Sequence, residues 1–229
     1  MKICLIGPTY PFRGGISHYT TLLFRYLKKQ HQTTFIAFKR QYPKWLYPGE
    51  TDRDPSKKPI FEDGAIYLLD SLKPLSWMQV ARKVRLVRPQ LVIFPWWTSF
   101  WVAPFFCIIF LIKKWTQAKI LFICHNVKEH ESNFINRVCT KFILNQGDLH
   151  LVHSKEEYLS LIKMVPESIV IKGFHPTYEN LQGRIYSKAE ARRALNVHGK
   201  VLLFFGFLRS YKGLIHLISA MPAILEKLG

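Results

Sequence analysis

The hydrophobic and polar positions of the first 172 residues follow two alternating patterns. Short apolar runs, typical of strands that are covered on both faces, occupy Lys2–Ile6, Leu91–Phe94 and Lys119–Cys124. Between such runs, apolar residues recur every three or four positions, as in residues 16–29 and 74–87, which predicts amphipathic helices. Because the two patterns alternate along the chain, they predict a parallel sheet flanked by helices.

Further segments extend this alternation to residue 172. The additional predicted strands are 33–38, 65–69, 148–152 and 168–171, and the additional predicted helices are 133–146 and 154–163. Residues 39–64 are polar and rich in proline, which predicts an irregular surface excursion. Strands that alternate with helices in this way indicate one complete Rossmann-like domain of the doubly wound α/β class over residues 1–172.

The uncharged stretch from Leu91 to Ile112 is long enough to cross a bilayer, and it allows three interpretations. Pro95 and Pro104 argue against one continuous helix, and another apolar strand follows, so we predict a strand and then a helix over residues 99–115. A membrane span is the second interpretation. The third is a partly exposed aromatic cluster, formed by Trp96, Trp97, Phe100, Trp101, Phe105 and Phe106, that lies at a membrane interface.

A new strand–turn–helix unit begins near the end of the sequence. The apolar run Val201–Phe205 predicts a buried strand, Gly206 a turn, and the segment after Gly213 a helix. The loop between them carries Arg209 and Lys212, which either face an anionic ligand or are ordinary solvated cations. We predict a linker with a short helix over residues 173–199 and the incomplete start of a second Rossmann-like domain over 200–229. Either the chain is a fragment, or this last unit docks on the preceding domain.

Composition adds a strongly basic charge. The formal net charge is +18 over 229 residues, which favours an acidic partner such as anionic lipid headgroups, nucleic acid or phosphorylated small molecules. No recognised nucleic-acid module accompanies the charge, so we do not expect nucleic acid to be the partner. The four cysteines form no C-x-x-C pair, so we expect no metal site. Cys4 and Cys124 lie inside apolar strand-like runs, so we expect buried, reduced thiols and a reducing cytoplasm.

Two loops follow predicted strands and carry candidate chemistry. Gly14 and Gly15 open a helix soon after the first strand, where glycine lets a ligand approach the backbone closely, although an ordinary strand–helix turn has the same pattern. His125 follows the strand Lys119–Cys124 directly, at the end of a parallel strand where ligands bind in doubly wound folds. An imidazole there can donate a hydrogen bond or exchange a proton near neutral pH.

Four motifs together resemble the retaining nucleotide-sugar glycosyltransferases of the two-Rossmann-domain (GT-B) architecture, in the large group 1, family 4-like type. The motifs are residues 7–16, His125–Val127, His175–Tyr178 and residues 204–213. The resemblance implies that Gly14 and Gly15 lie near the donor phosphates and acceptor at an interdomain cleft. It further implies that His125 is catalytic and touches the transferred sugar, and that Arg209 and Lys212 hold the donor diphosphate. A nucleotide-sugar is then the donor substrate, and no cofactor or metal is needed.

The sequence also departs from that family. The family's Glu-x7-Glu motif, which grips the donor sugar and ribose, does not occur before Gly229, so we predict a C-terminally truncated chain whose transfer activity alone is weak or absent. Glu129 stands where relatives often have proline.

The resulting function prediction is sugar transfer, with retention, from a nucleotide-sugar to a lipid-linked or polysaccharide acceptor. The alternative is a non-catalytic basic module that binds an anionic membrane or a separate donor-domain partner. We expect a cytoplasmic protein, with peripheral contact at the inner face of the membrane.

Overall fold

The chain is described by a computed structural model that divides into two compact units, residues 1–175 and residues 176–229. The described residues are 1–43, 45–47, 50–56, 59–127, 134–178, 185–206, 208 and 210–228.

The first unit is built on a seven-stranded sheet. Its strands are β1 (Lys2–Gly7), β2 (Gln32–Arg40), β3 (Ala65–Asp70), β4 (Leu91–Trp96), β5 (Lys119–Cys124), β6 (Leu149–Val152) and β7 (Ile169–Lys172). They lie in the order β3-β2-β1-β4-β5-β6-β7, and every neighbouring pair is parallel. The parallel sheet confirms the predicted α/β, Rossmann-like fold class.

Five helices connect these strands. They are α1 (Gly15–Leu27), α2 (Pro74–Val87), α3 (Val102–Trp115), α4 (Phe134–Leu144) and α5 (Lys155–Met164), and a 3-10 turn at Ser99–Trp101 precedes α3. Ser154 caps α5, because its hydroxyl accepts a hydrogen bond from the backbone N–H of Glu157.

The helices cover the sheet on both faces, as the term doubly wound implies. Ile3 and Leu5 of β1 pack in a core with Tyr19 and Phe24 of α1. The alternate residues of β1 point to the other face, where the larger core also contains residues of α2, α3, α4 and α5. Helix α1 therefore lies on one face of the sheet, and α2 to α5 lie on the opposite face.

The aromatic cluster after β4 belongs mainly to the core, so the prediction that it is partly exposed is wrong for its largest members. Trp96, Trp97, Trp101 and Phe105 are buried. The Trp101 ring lies 4.4 Å from that of Phe38 in β2 and 5.3 Å from that of Phe105. The reason is the turn at Ser99–Trp101, which Thr98 caps and which folds these rings back over the sheet.

The helix predicted between β4 and β5 is confirmed as α3. Its 14 residues, Val102–Trp115, span about 21 Å. Among the described residues, no helix combines the length and the apolar character that a membrane crossing requires.

The described part of the second unit contains two helices, α6 (Lys188–Leu195) and α7 (Leu214–Leu228), and a 3-10 turn at Ser210–Lys212. Helix α6 begins with a capping box, because the side chains of Ser187 and Glu190 each accept a hydrogen bond from the other residue's backbone N–H. The predicted strand after Lys200 is not formed: Val201–Phe205 joins no β-ladder, and the Phe205 side chain is 90% exposed. A strand needs a paired neighbour, and the described part of this unit supplies none.

Gly147, at the turn before β6, provides a test of core packing. A Cβ atom there would lie 2.7 Å from Cδ2 of Phe122 and 2.9 Å from Nε2 of His150, and both rings are buried. We expect Gly147→Ala to lower the free energy of unfolding by about 1–3 kcal/mol through overpacking, as measured by urea denaturation.

Gly64→Ala is the matched control, because its new Cβ would meet only ordinary contacts at 3.6 Å or more. Equal stability of the two variants would contradict the packing at Gly147.

Candidate functional site

The candidate site lies at the carboxyl edge of the sheet, where β1 and β4 are neighbours. The chain leaves β1 toward β2 and leaves β4 toward β5 on the other side, so a crevice opens between the two strand ends. Gly7 ends β1, and a Cβ there would lie 3.0 Å from Cγ2 of Thr20 and 3.1 Å from Cγ of Pro95. Glycine at this position lets β1, α1 and β4 approach each other closely.

Gly14 and Gly15 form the entrance to α1. Gly14 has φ 111° and ψ 165°, a backbone conformation that is essentially restricted to glycine. No heavy atom lies within 4 Å of the position that a Cβ would take at either glycine. Both glycines are exposed at the start of α1, where a helix leaves backbone N–H groups without intrahelical partners, the feature that anionic ligands use.

Threonine hydroxyls fix the loop that leads to this helix. The hydroxyls of Thr9 and Thr21 are 2.7 Å apart, and both residues are buried. Thr20 donates to the carbonyl oxygen of Pro8, and Thr21 donates to that of Ser17 at 2.6 Å. These bonds hold the loop after β1 against the first turns of α1.

Three histidines gather around Tyr19, which lies one turn into α1. His125 follows β5, His153 follows β6 and His175 lies three residues after β7. The Tyr19 ring centroid lies 4.7 Å from that of His125, 5.5 Å from that of His153 and 5.7 Å from that of His175. We call these four residues the histidine cluster.

The histidine rings also lie close to one another. The His153 ring centroid is 6.0 Å from that of His125 and 5.2 Å from that of His175. The carboxyl ends of three adjacent parallel strands thus bring together residues that are far apart in the sequence.

The surroundings of His125 and His153 favour neutral imidazoles. Burial lowers the pKa of His125 to about 3, with smaller contributions from the charges that His153 and His175 can carry. The pKa of His153 is also lowered, first by burial and then by His175, whereas the backbone of Phe174 acts in the opposite direction. At neutral pH, His125 is therefore a neutral donor and acceptor of hydrogen bonds.

The backbone of His125 is held from two sides. Its N–H donates to the carbonyl oxygen of Trp96 at the end of β4, at 2.8 Å. Two residues later, the N–H of Val127 donates to Oε2 of Glu157, at the start of α5, at 2.5 Å. The Nε2 atom of His125 is shielded from solvent and makes no hydrogen bond with the described residues, so it retains hydrogen-bonding capacity for a ligand.

A separate cavity of about 600 Å³ lies beyond the carboxyl ends of β1 and β2. Its lining comes from the loop after β1, the end of β2 and the excursion that follows, and consists of Phe12, Arg40, Tyr42, Pro43, Tyr47, Glu50, Thr51, Asp52 and Arg53. Backbone bonds from Arg13 to Asp52, at 2.9 Å, and from Asp54 to Pro11, at 2.8 Å, join the excursion to the loop. Arg40 pairs with Asp70 at 3.4 Å, so one wall of this cavity is fixed by an ion pair.

Of the two cations that the sequence predicts for the second unit, Lys212 lies within the described residues. Lys212 ends the 3-10 turn Ser210–Lys212, and Gly213, with φ +74°, leads from that turn into α7. Arg209 lies outside the described residues. Within the described ranges, no group of three His, Cys, Asp or Glu side chains is arranged to hold a metal ion.

The structure therefore brings Gly14, Gly15 and His125 to the same edge of the first unit. Sequence reasoning missed Tyr19 and His153 and gave His175 no role. A recurring signal was present, because a histidine comes directly after β5 and β6 and soon after β7.

No protein-family model matches the chain, and no curated protein sequence matches it. Among solved structures, UDP-N-acetylglucosamine 2-epimerase from Rickettsia bellii is similar to this chain, with a TM-score of 0.47 and 14% sequence identity. The similarity covers 74% of this chain and 44% of the epimerase chain, so the chain spans less than half the length of that protein. The fold assignment rests on the order and direction of the seven strands.

The two glycines before α1 are expected to respond differently to alanine. Gly14→Ala forces a side chain into the φ 111° conformation and should cost about 1–3 kcal/mol of unfolding free energy in urea denaturation. Gly15→Ala should change stability by less than about 1 kcal/mol, because Gly15 is helical and its surroundings are open. Equal losses in both variants would contradict this helix start.

Acidification should destabilise the first unit through His125. The folded imidazole stays neutral down to about pH 3, whereas the unfolded one takes up a proton below about 6.5, so protons favour the unfolded chain between these values. Each pH unit below 6.5 should cost about 1 kcal/mol from this residue. Urea denaturation at pH 7, 6 and 5 should show a smaller loss in His125→Gln than in the unchanged protein.

His198→Gln is the control, because His198 is exposed in the second unit. If His125→Gln and the unchanged protein lose stability in parallel, His125 is not held neutral by the fold.

Proposed function

We propose that this chain is the acceptor-side part of a retaining glycosyltransferase of the GT-B, group 1 type, acting on a nucleotide-sugar donor. The observation that carries the proposal is the convergence of Gly14, Gly15 and His125 at the carboxyl edge of the sheet. One helix provides the connection, because α1 begins at Gly15 and carries the Tyr19 ring that contacts His125. A bare helix start and a neutral imidazole are suited to phosphate oxygens and sugar hydroxyls, respectively.

In this proposal, His125 binds the transferred sugar. Its lowered pKa makes it a hydrogen-bond partner for a hydroxyl group rather than a cation, and Tyr19 and His153 hold its ring in place from the sides. His175 is exposed, and its ring packs against that of His153. A partly buried, neutral imidazole adds no positive charge near the developing oxocarbenium ion. A positive charge at this position would oppose cleavage of the glycosidic bond.

The donor diphosphate is proposed to bind Arg209 and Lys212. During transfer, the glycosidic bond to the diphosphate breaks and negative charge develops on the departing nucleotide. A guanidinium can bind two phosphate oxygens at once, and a lysine adds a compact positive charge, so these cations stabilise the leaving group without a metal ion. Residues 200–229 are proposed to begin the donor-binding domain.

The acceptor is proposed to enter the cavity beyond β2. Tyr42 and Tyr47 supply flat surfaces and hydroxyls that suit a sugar ring. The two arginines of the lining, Arg40 and Arg53, are paired with Asp70 and Asp52 at 3.4 and 3.6 Å. Phe12 fixes one of these cations, because the Arg53 guanidinium lies over its ring at 4.8 Å. Such a lining fits a lipid-linked glycan or a growing polysaccharide.

Ligand-observed NMR tests the donor site directly. The full chain is mixed in turn with UDP-glucose, UDP-N-acetylglucosamine and GDP-mannose, and saturation transfer from the protein to each ligand is recorded. We expect at least one donor to receive saturation on its sugar protons, and His125→Gln to reduce that signal. Lys212→Ala should weaken binding of the same donor by about tenfold or more, because it removes a charge-assisted hydrogen bond.

His198→Gln serves as the matched histidine control and should bind like the unchanged protein. The proposal fails if none of the three donors binds, or if His125→Gln binds its sugar unchanged. A donor that binds is then incubated with a lipid and glycan extract, and a product with inverted anomeric configuration would overturn the retaining assignment.

The non-catalytic alternative keeps the same fold but assigns the chain to a membrane or to a separate donor-domain partner. The exposed apolar and basic surface of α3 and α4 favours membrane contact. Such contact is compatible with sugar transfer.

A further inference from the structure

The charge of the chain is distributed unevenly along the sequence. Between Asp70 and Glu129 there is no Asp or Glu, although this stretch contains nine Lys and Arg residues. Between Glu131 and Asp148 there is again no acidic residue, and Arg137 and Lys141 are present. Glu129 and Glu131 themselves lie outside the described residues.

The fold places these acid-free segments side by side. Helices α2, α3 and α4 all lie on the same face of the sheet, α2 packs against α3, and α3 packs against α4. Near the ends of α2 and α3, Arg82, Arg85 and Arg88 line a groove together with Trp115, and the Arg85 guanidinium lies 5.7 Å from the Trp115 ring. The outer surface of this layer is therefore basic without acidic compensation in the described segments.

An apolar patch lies on the same outer surface. It consists of Phe106 and Phe110 of α3 and Phe134, Ile135, Val138 and Phe142 of α4, and we call it the α3–α4 patch. Phe106 of α3 contacts α4, because its ring lies 4.9 Å from that of Phe142. Within α3, the same ring lies 6.2 Å from that of Phe110. The other five side chains are between 46% and 73% exposed.

Cations border this patch. Lys113 and Lys114 follow Phe110 by about one helical turn, and Arg137 and Lys141 are exposed on α4 between its apolar residues. Exposed Phe, Ile and Val side chains flanked by Lys and Arg form the pattern of a helix surface that lies in the plane of a membrane interface. Acidic side chains, which would be repelled by anionic lipid, are absent from both helices.

We propose that the outer surface of α3 and α4 binds anionic phospholipid. The apolar side chains enter the headgroup region, and the cations contact lipid phosphates at its border. A nucleic-acid surface is less suitable, because such interfaces are polar and leave no role for an apolar centre. A second copy of this chain is also disfavoured, because two uncompensated basic surfaces would face each other.

Vesicle co-sedimentation tests the proposal with the full chain. We expect binding to phosphatidylglycerol-containing vesicles, little binding to pure phosphatidylcholine vesicles, and weaker binding at high salt. Lys113→Glu/Lys114→Glu should weaken binding to the anionic vesicles at least tenfold, because each cation near such a surface contributes on the order of a fivefold change. Phe110→Ser/Phe134→Ser should weaken it by a similar factor.

Two matched controls distinguish the effect of this surface from the effects of net charge and of exposed apolar side chains elsewhere. Lys188→Glu/Arg193→Glu makes the same change of net charge on α6, and Tyr26→Ser/Leu195→Ser removes exposed side chains from α1 and α6. Both controls should bind like the unchanged protein, and circular dichroism melting should confirm that every variant is folded.

Several outcomes would overturn the proposal. They are absence of binding by the unchanged protein, equal losses in the α6 charge control, and unchanged binding by Phe110→Ser/Phe134→Ser. Sedimentation without vesicles gives a further check, because self-association that is lost in Phe110→Ser/Phe134→Ser would identify the surface as a contact between copies. Equally tight, variant-sensitive binding of duplex DNA would identify it as a nucleic-acid surface. Failure of the donor-binding experiment does not affect this test.

Discussion

Parallel pairing of β1 with β4, and of β4 with β5, is the constraint on which the candidate site depends. In a parallel sheet every strand ends at the same edge, so the residues that follow the strands meet there whatever their separation in sequence. The register sets their spacing: Trp96 is opposite Cys124, and the carbonyl of Trp96 then accepts the N–H of His125. The close approach at Gly7 brings α1 to the same edge and places Tyr19 against His125. A Cβ atom at Gly7 would require the side chains of Thr20 and Pro95 to move by a few tenths of an ångström.

The histidine cluster is held by packing more than by hydrogen bonds. Neither ring nitrogen of His153 makes a hydrogen bond of ordinary geometry with a described residue, and Nε2 of His125 makes none. Ring contacts with Tyr19 therefore fix the orientations, and the energetic cost of the unpaired nitrogens persists unless a ligand pairs with them. His150 shows the contrast of a structural histidine. It is fully buried, stacks on Phe122, and its Nε2 lies 2.9 Å from the carbonyl oxygen of Leu144.

The sequence allowed the sheet to be predicted because the strand signal is local. Runs such as Lys119–Cys124 are apolar on both faces and stand between helical patterns, so their identity does not depend on distant residues. The histidine cluster was not predictable in the same way, because it depends on three strand ends whose adjacency only the sheet order reveals. For the run Val201–Phe205 the local pattern predicted a strand that does not form. The pattern is strand-like, but a strand needs a neighbour with which to pair.

The local sequence pattern also could not predict which aromatic side chains are buried. Both Trp101 and Phe110 lie in the same uncharged stretch, yet the first is inaccessible to solvent and the second is 56% exposed. The difference arises because the turn at Ser99–Trp101 folds Trp101 onto β2 and β4, whereas Phe110 lies on the outer side of α3. Of the six aromatic residues that the sequence argument for membrane contact named, four are buried, and only Phe106 also belongs to the α3–α4 patch. A bilayer could contact only the aromatic side chains that the sheet does not use, and in α3 and α4 these are the ones that cations border.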